Sequence, residues 1–365
     1  MSTDGEKARA ANIFDVARLA GVSHQTVSRV LNDLPNVRPA TRLRVEQAIT
    51  QLRYRPSPAA RALVTRRSRT IGLITTGGPD YGPSSTVLQF NEAARHARYA
   101  VSMASMLESD PESLRSAVEL LLRQNVEAIV LIAAHRGALD AVRGVELGVP
   151  LIVVESSGRS GFHSVGIDQY HGARNAVRHL AELGHTSIVH LAGPADSMDA
   201  AERVRGWRDE LAERGLIARE PMWGDWTPAS GYRHGGILAD LVLGEGVQGD
   251  SARSDAGFTA VLAGNDQMAL GLMHALTQRG FVVPRDVSIV GFDDIPEAEH
   301  FTPPLTTMRQ DFNALGRDIM QTLLAVLQDD ESPDLPSTAP ELIVRESTAA
   351  PRVVVAPTPV GASRK

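Results

Sequence analysis

At 365 residues the chain is too long for one ordinary hydrophobic core, and its 43% hydrophobic and 22% charged residues are those of a globular protein. No stretch approaches the run of about 18 apolar residues that a membrane span needs. The opening MSTDGEKARAANIFD lacks the apolar centre of a signal peptide, and the absence of cysteine excludes disulfides, thiolate metal sites and cysteine nucleophiles, so a reducing cytoplasm is the expected compartment.

The net charge of −6 is unevenly spread. Residues 1–70 hold 13 Lys and Arg against 5 Asp and Glu, whereas the remaining 295 hold 24 against 38. A basic head on an acidic body points to a head that meets a polyanion. That head carries three helical patterns in quick succession. Asn12 followed by Asp15 makes a capping-box start, and Phe14, Val16, Ala17, Leu19 and Ala20 supply an apolar stripe. Gly21 breaks this helix, and Ser23 is placed to cap a second from about His24 to Asn32. In the second, Val27, Val30 and Leu31 face inward, while Gln25 and Arg29, four apart, share the outer face. A third helix is expected from about Pro39 to Arg53, with Leu43, Val45, Ala48, Ile49 and Leu52 inward. Its start has two readings, Pro39 at the first helical position or Asn36 as the cap. Helix, tight Gly-containing turn, helix is the helix-turn-helix arrangement.

Residues 54–70, YRPSPAARALVTRRSRT, read as a linker or as a short helix begun at Ser57-Pro58. From Ile71 onward strand-like runs (TIGLIT, AIVLIA, PLIVVE, SIVHLAG, AVLAGND and VSIVGFDD) alternate with amphipathic stretches such as 113–123, 173–183 and 268–279. Buried strands alternating with helices predict parallel α/β sheets, and the length predicts two such lobes. The polar stretch 243–258, LGEGVQGDSARSDAGF, reads as a mobile surface loop. Open α/β sheets bind ligands beyond the carboxyl ends of their strands, where Thr75, Thr76, Glu155, Asn265, Asp266, Asp293 and Asp294 fall. No Walker loop, no G-x-G-x-x-G after a strand, no H-E-x-x-H and no nucleophile elbow is present, and the 11 histidines are scattered. Neither enzymatic activity nor a metal or other cofactor is expected.

The stretch IFDVARLAGVSHQTVSRVLN closely resembles the headpiece of the LacI/GalR family of bacterial transcriptional repressors. HLAGP, GDWTPASGY, GNDQMALG, SIVGFDD and PPLTTMRQDF continue the resemblance in order, from about Asn12 to Pro351. It implies a small all-α helix-turn-helix headpiece at 1–56, a hinge helix or linker at 57–70, a two-lobed core at 71–350 and a disordered tail at 351–365. The core would be α/β, of the type I periplasmic-binding-protein-like kind with parallel sheets. Its N-lobe would be about 71–166 and 310–340, and its C-lobe about 167–309 and 341–350.

The resemblance also implies site residues. His24, Gln25 and Arg29 take the base-reading positions, Gln being suited to adenine and Arg to guanine. His24 stands where a family member has tyrosine. Ser23, Thr26, Ser28 and Asn32 suit phosphates, which position the module without reading sequence. Leu63 matches a leucine that wedges into the minor groove, with Ala60 its small neighbour. In the core, Arg203, Asn265 and Asp293 match positions that bond sugar hydroxyls, and Trp226 matches a tryptophan packed on the sugar ring. Thr76, Glu155, Gln310 and Phe312 complete the expected cleft. Plainer readings stand beside these: His24 as an ordinary exposed residue, Asn265-Asp266 as a helix cap, Trp226 as core, Asp293-Asp294 as a turn. Glu155 replaces a relative's aspartate and TTGGPDYGPSS departs from that relative's first-strand loop, which leaves the sugar open.

The function so implied is a cytoplasmic repressor that binds palindromic double-stranded operator DNA and is released by a small sugar effector, a galactoside being the first candidate. The tail PRVVVAPTPVGASRK has no heptad and no leucine, so a homodimer is expected. A co-repressed regulator and a sugar receptor that does not act on DNA are the alternatives.

Overall fold

The structure, a computed structural model, describes residues 11–31, 34–54, 67–78, 80–106, 110–143, 145–158, 161–243, 257–330 and 337–352. Asn32, Ala60 and Leu63, the hinge, most of the loop expected at 243–258 and nearly all of the tail lie outside these residues. The chain divides into two units, 1–69 and 70–365.

In the first unit α1 (Ile13–Ala20) opens on the expected capping box: Asn12 accepts from the backbone of Phe14 and Asp15, and Asp15 accepts from the Asn12 N–H. It ends at Gly21, whose φ of 66° is the left-handed conformation that glycine adopts at no steric cost. Ser23 Oγ then accepts from the Thr26 N–H at 3.2 Å and so caps α2 (His24–Leu31). The third helix, α3 (Pro39–Gln51), starts at Arg38 with no capping side chain. Of the two starts considered, Pro39 at the first helical position is the one found, and Asn36 takes a φ of 71° upstream. Val16, Ala17, Ala20, Val27, Val30, Val45 and Ala48 form the buried centre. Phe14, Leu19 and Leu43 correct the expected stripes: all three are exposed. Ile13, Val22, Leu31, Val37, Ile49, Leu52 and Tyr54 pack half-buried around this centre.

The second unit carries two sheets. In the first lobe β1 (Thr70–Thr76), β2 (Ala100–Met106), β3 (Ala128–Ile132), β4 (Leu151–Val154) and β5 (His163–Val165) pair in the order β2-β1-β3-β4-β5, all parallel. Helices α4 (Tyr81–His96), α5 (Pro111–Leu122) and α6 (Arg136–Val142) connect them. Strand β3 shows why its sequence is apolar throughout: Ala128, Val130 and Ile132 enter the core on one face, and Ile129 and Leu131 the core on the other.

The second lobe contains α7 (Gln169–Glu182), β6 (Ile188–Ala192), α8 (Met198–Glu213), β7 (Met222–Trp223), α9 (Pro228–Leu243), β8 (Ala260–Ala263), α10 (Asp266–Gln278), β9 (Ser288–Asp293) and β10 (Thr306–Arg309). After β10 the chain returns to the first lobe as α11 (Phe312–Leu327), which packs on α4, and comes back as β11 (Glu341–Ile343). The sheet order is β11-β10-β9-β8-β6-β7. Its edge strand β11 runs antiparallel to β10, a departure from the all-parallel expectation. Phe258, placed by the sequence in the polar loop, is buried in this lobe's core. Both sheets reverse strand order at one point, between β1 and β3 and between β6 and β8. Ligand crevices form outside the carboxyl ends of strands at such points.

Candidate functional site

The head offers one polar face. Val27 and Val30 anchor α2 inward, which turns His24, Gln25 and Arg29 to the exposed side. The His24 ring rests 5.2 Å from that of Phe14, so the histidine lies against α1. Ser23 and Thr26 are joined hydroxyl to hydroxyl at 3.0 Å at the same helix end. Ser28 is half-buried. Exposed Gln and Arg near the start of a short helix have the geometry to enter a major groove and meet base edges.

In the core unit, the carboxyl ends of the strands of both lobes face one cleft of about 760 Å³, part of it open to solvent. Its wall brings together Glu155, Arg203, Trp226, Asn265, Asp293, Gln310 and Phe312, residues far apart in sequence. Thr76 departs from the expectation. Its hydroxyl donates to Ile132 O at 3.3 Å and accepts from the Ala134 N–H at 3.2 Å, which ties β1 to the end of β3 beneath the wall. Asp266 and Asp294 also point elsewhere. Asp266 accepts from Thr307 and Ile295, and Asp294 pairs with Arg309 and Arg345.

Trp226 has a defined seat. A side chain at Gly193, just past β6, would collide with its indole ring, and one at Gly264, just past β8, would crowd the ring and the backbone of Leu191 and Gly193. Asn265 caps α10 through Oδ1, accepting from Met268 N at 2.8 Å, while its Nδ2 donates to Trp226 O at 3.1 Å. The helix-cap reading of Asn265 is the one found, and the same side chain holds the loop that carries the indole.

Arg203 is buried with its guanidinium 3.8 Å from the centroid of the Phe292 ring and 5.3 Å from that of Trp226. Its Nε donates to Gln169 Oε1 at 2.9 Å, Nη1 donates to Gly264 O, and Nη2 lies 3.8 Å from Asp293 Oδ1. Gln169 Nε2 donates to Gln310 Oε1 at 2.8 Å, and Gln310 Nε2 donates to Asp293 Oδ1 at 2.6 Å. These four side chains close a ring. Burial pushes the Asp293 carboxyl up to about 6, against the opposing pull of Arg203 and Gln310. Burial likewise lowers the pKa of Arg203.

Further lining residues escaped the sequence reading: Asp80, Tyr81, Gln169, Ser197 and Asp199. Each sits beside the first turn of a helix that follows a strand or a crossover, a placement that strand-end reasoning could have used. The Tyr81 ring meets Phe312 edge-on at 5.9 Å and packs against the cores of both lobes. Burial raises the carboxyl of Asp80 against the opposing pull of His135. At the rim the lobes are bonded directly, Arg136 N donating to Asp196 O at 3.3 Å.

A helix-turn-helix head joined to a two-lobed core with a polar, aromatic-walled cleft defines a DNA-binding regulator with a small-molecule site. Residues 12–57 match the family "Bacterial regulatory proteins, lacI family", and residues 177–348 match "Periplasmic binding protein-like domain". The lactose operon repressor of Escherichia coli (strain K12) is 34% identical over 349 residues, 94% of this chain and 92% of that protein. The crystal structure of the lac repressor dimer bound to operator and the anti-inducer ONPF superposes with a TM-score of 0.81 at 32% identity, covering 94% of this chain and all of that one. The complex of the transcriptional regulator CelR with cellobiose gives 0.64 at 29%, covering 92% and 99%. The chain belongs to the lacI family of bacterial regulatory proteins. No helix among the described residues is long and apolar enough to cross a membrane.

Proposed function

We propose that this protein is a transcriptional repressor that holds a palindromic operator as a homodimer and releases it when a small sugar enters the cleft. The observation that carries the sugar reading is the indole of Trp226, seated at two strand ends and ringed by Arg203, Asn265 and Asp293. An apolar ring face suits the C–H surface of a sugar, and the surrounding donors and acceptors suit its hydroxyls. The cellobiose complex of CelR and the operator complex of the lac repressor dimer support the same reading. His24, Gln25 and Arg29 read bases, while Ser23, Thr26 and Ser28 contact phosphates. Two heads on a dimer match two half-sites. Release requires that the sugar prefer the state that does not hold DNA. A protein working on the chromosome in this way acts in the cytoplasm and needs no catalytic step.

Fluorescence anisotropy of a palindromic lac-type operator at fixed, stated salt tests this, with galactosides titrated first and other sugars after. Release by a sugar is the expected result. Tighter binding on addition of ligand would make the protein co-repressed instead. Indifference to every sugar would overturn the effector assignment.

A further inference from the structure

Glu155 lies just past β4 and is 5% exposed. Its Oε2 accepts from the Ser157 hydroxyl at 2.6 Å and from the backbone N–H groups of Ser157 and Gly158, while its buried Oε1 has no partner among the described residues. A buried carboxylate oxygen without a donor is costly, and a donor arriving with a ligand removes that cost. The Ser156 hydroxyl beside it is also buried without a partner.

The surrounding charge is mostly negative. Asp80, Glu155, Asp199 and Asp293 line the cleft, and Arg203 is the one Lys or Arg among the described residues of its wall. That guanidinium is already held by Gln169, Gly264 and Asp293. Helix N-termini are where proteins ordinarily receive phosphate. Here the ends of α4 and α8 carry Asp80 and Asp199 in or beside their first turns. The neighbouring depression sets Arg136 and Arg143 against Asp140 and Glu202, so it adds no net positive charge.

We propose that the cleft selects an unphosphorylated sugar, one of whose hydroxyls donates to Glu155 Oε1, and rejects the phosphorylated form of the same sugar. This deepens the sugar reading and rests on it. A hydroxyl completes Glu155 without adding charge, whereas a phosphate brings negative charge among carboxylates.

Isothermal titration calorimetry on the full chain tests this with matched pairs: galactose and galactose 6-phosphate, lactose and lactose 6-phosphate, cellobiose and cellobiose 6-phosphate. The neutral member of any pair that binds should bind at least about tenfold more tightly, because like-charge juxtaposition is a strong discriminator. Glu155→Gln, checked for folding by its thermal melt, should narrow that ratio by at least about threefold through removal of one negative charge. A phosphorylated sugar that binds as tightly as its neutral partner overturns the inference while the sugar reading stands. If no member of any pair binds, the sugar reading falls and this inference falls with it. The wild-type ratios decide the matter even if the variant does not fold.

Discussion

Gln310 donates its side-chain amide to Asp293 at 2.6 Å, which joins the segment where the chain crosses back to the first lobe to the end of β9 in the second. Through Gln169 the same ring reaches a second crossover, where Asp168 N donates to Thr338 O at 3.1 Å on a third. A ligand that donates to Asp293 or accepts from Arg203 would therefore touch a ring of side chains tied to the segments that connect the lobes.

Gln310→Leu tests that connection, because leucine keeps the bulk and removes both hydrogen bonds. The ratio of operator affinities without and with saturating sugar should fall at least about fivefold, the lower end of ordinary coupling between sites. Operator anisotropy at two sugar concentrations measures it. Weakened sugar binding with an unchanged ratio would assign Gln310 to binding alone.

Gly193→Ala should blind the cleft. A methyl group there collides with the Trp226 indole, so either the ring leaves its seat or the end of β6 shifts. Overpacking of this kind costs about 1–3 kcal/mol. Sugar affinity should drop at least about tenfold, while operator binding in the absence of sugar stays within about twofold of wild type, because the substitution lies in the core unit and leaves the exposed face of α2 unchanged. Titration calorimetry with the sugar found to release the operator, paired with anisotropy, would show the split.

How far the sequence could be read depended on whether a residue's neighbours lie near it in the chain. Strands buried on both faces announce themselves as continuous apolar runs, and β1, β3, β4, β6, β8 and β9 were all expected from such runs. The strands not foreseen include β2, AVSMASM, with serines in its run and an edge position, and β10, TTMR, and β11, ELI, which are too short to show a pattern. In the site, residues at strand ends were accessible to the topological rule. Gln169 was not, since its partners Arg203 and Gln310 are 34 and 141 positions away. Thr76 was misplaced because being at a strand end does not fix which way a hydroxyl turns. In the head, helical periodicity overcounted the core: Phe14, Leu19 and Leu43 keep the spacing but three short helices cannot cover them.

Two buried groups give the core opposing responses to mild acid. Asp293 is held at about 6 against an ordinary 3.8, so the folded chain keeps a proton that the unfolded chain has lost. That contribution is fully present below about pH 4 and is lost as the pH rises through 6. His190, buried with Nδ1–H donating to Leu262 O at 2.9 Å, is held at about 4 against 6.5. Its contribution is present above 6.5 and is lost as the pH falls through 4. Each amounts to roughly 3 kcal/mol at most, so in wild type they largely cancel. Asp293→Asn should therefore steepen the fall in melting temperature between pH 6.5 and 4, and His190→Asn should flatten or reverse it. Parallel melts across that range would contradict both assignments if the three proteins track one another.

The head makes the last prediction. Gln25 and Arg29 project from α2 on its exposed side, while Ser23 caps the same helix through Oγ. Gln25→Ala or Arg29→Ala removes a group able to bond a base edge in bidentate fashion, which is worth about 1–3 kcal/mol of discrimination. Each should lower the preference for operator over random duplex by roughly 5- to 150-fold. Ser23→Ala acts on the helix itself. It removes the cap, at a cost of about 1 kcal/mol, and should weaken operator and random duplex alike. Anisotropy with both duplexes at one salt concentration separates the two patterns. If Ser23→Ala changes preference while Gln25→Ala does not, base reading falls to the capping residue, two positions before Gln25, and not to the exposed face of α2.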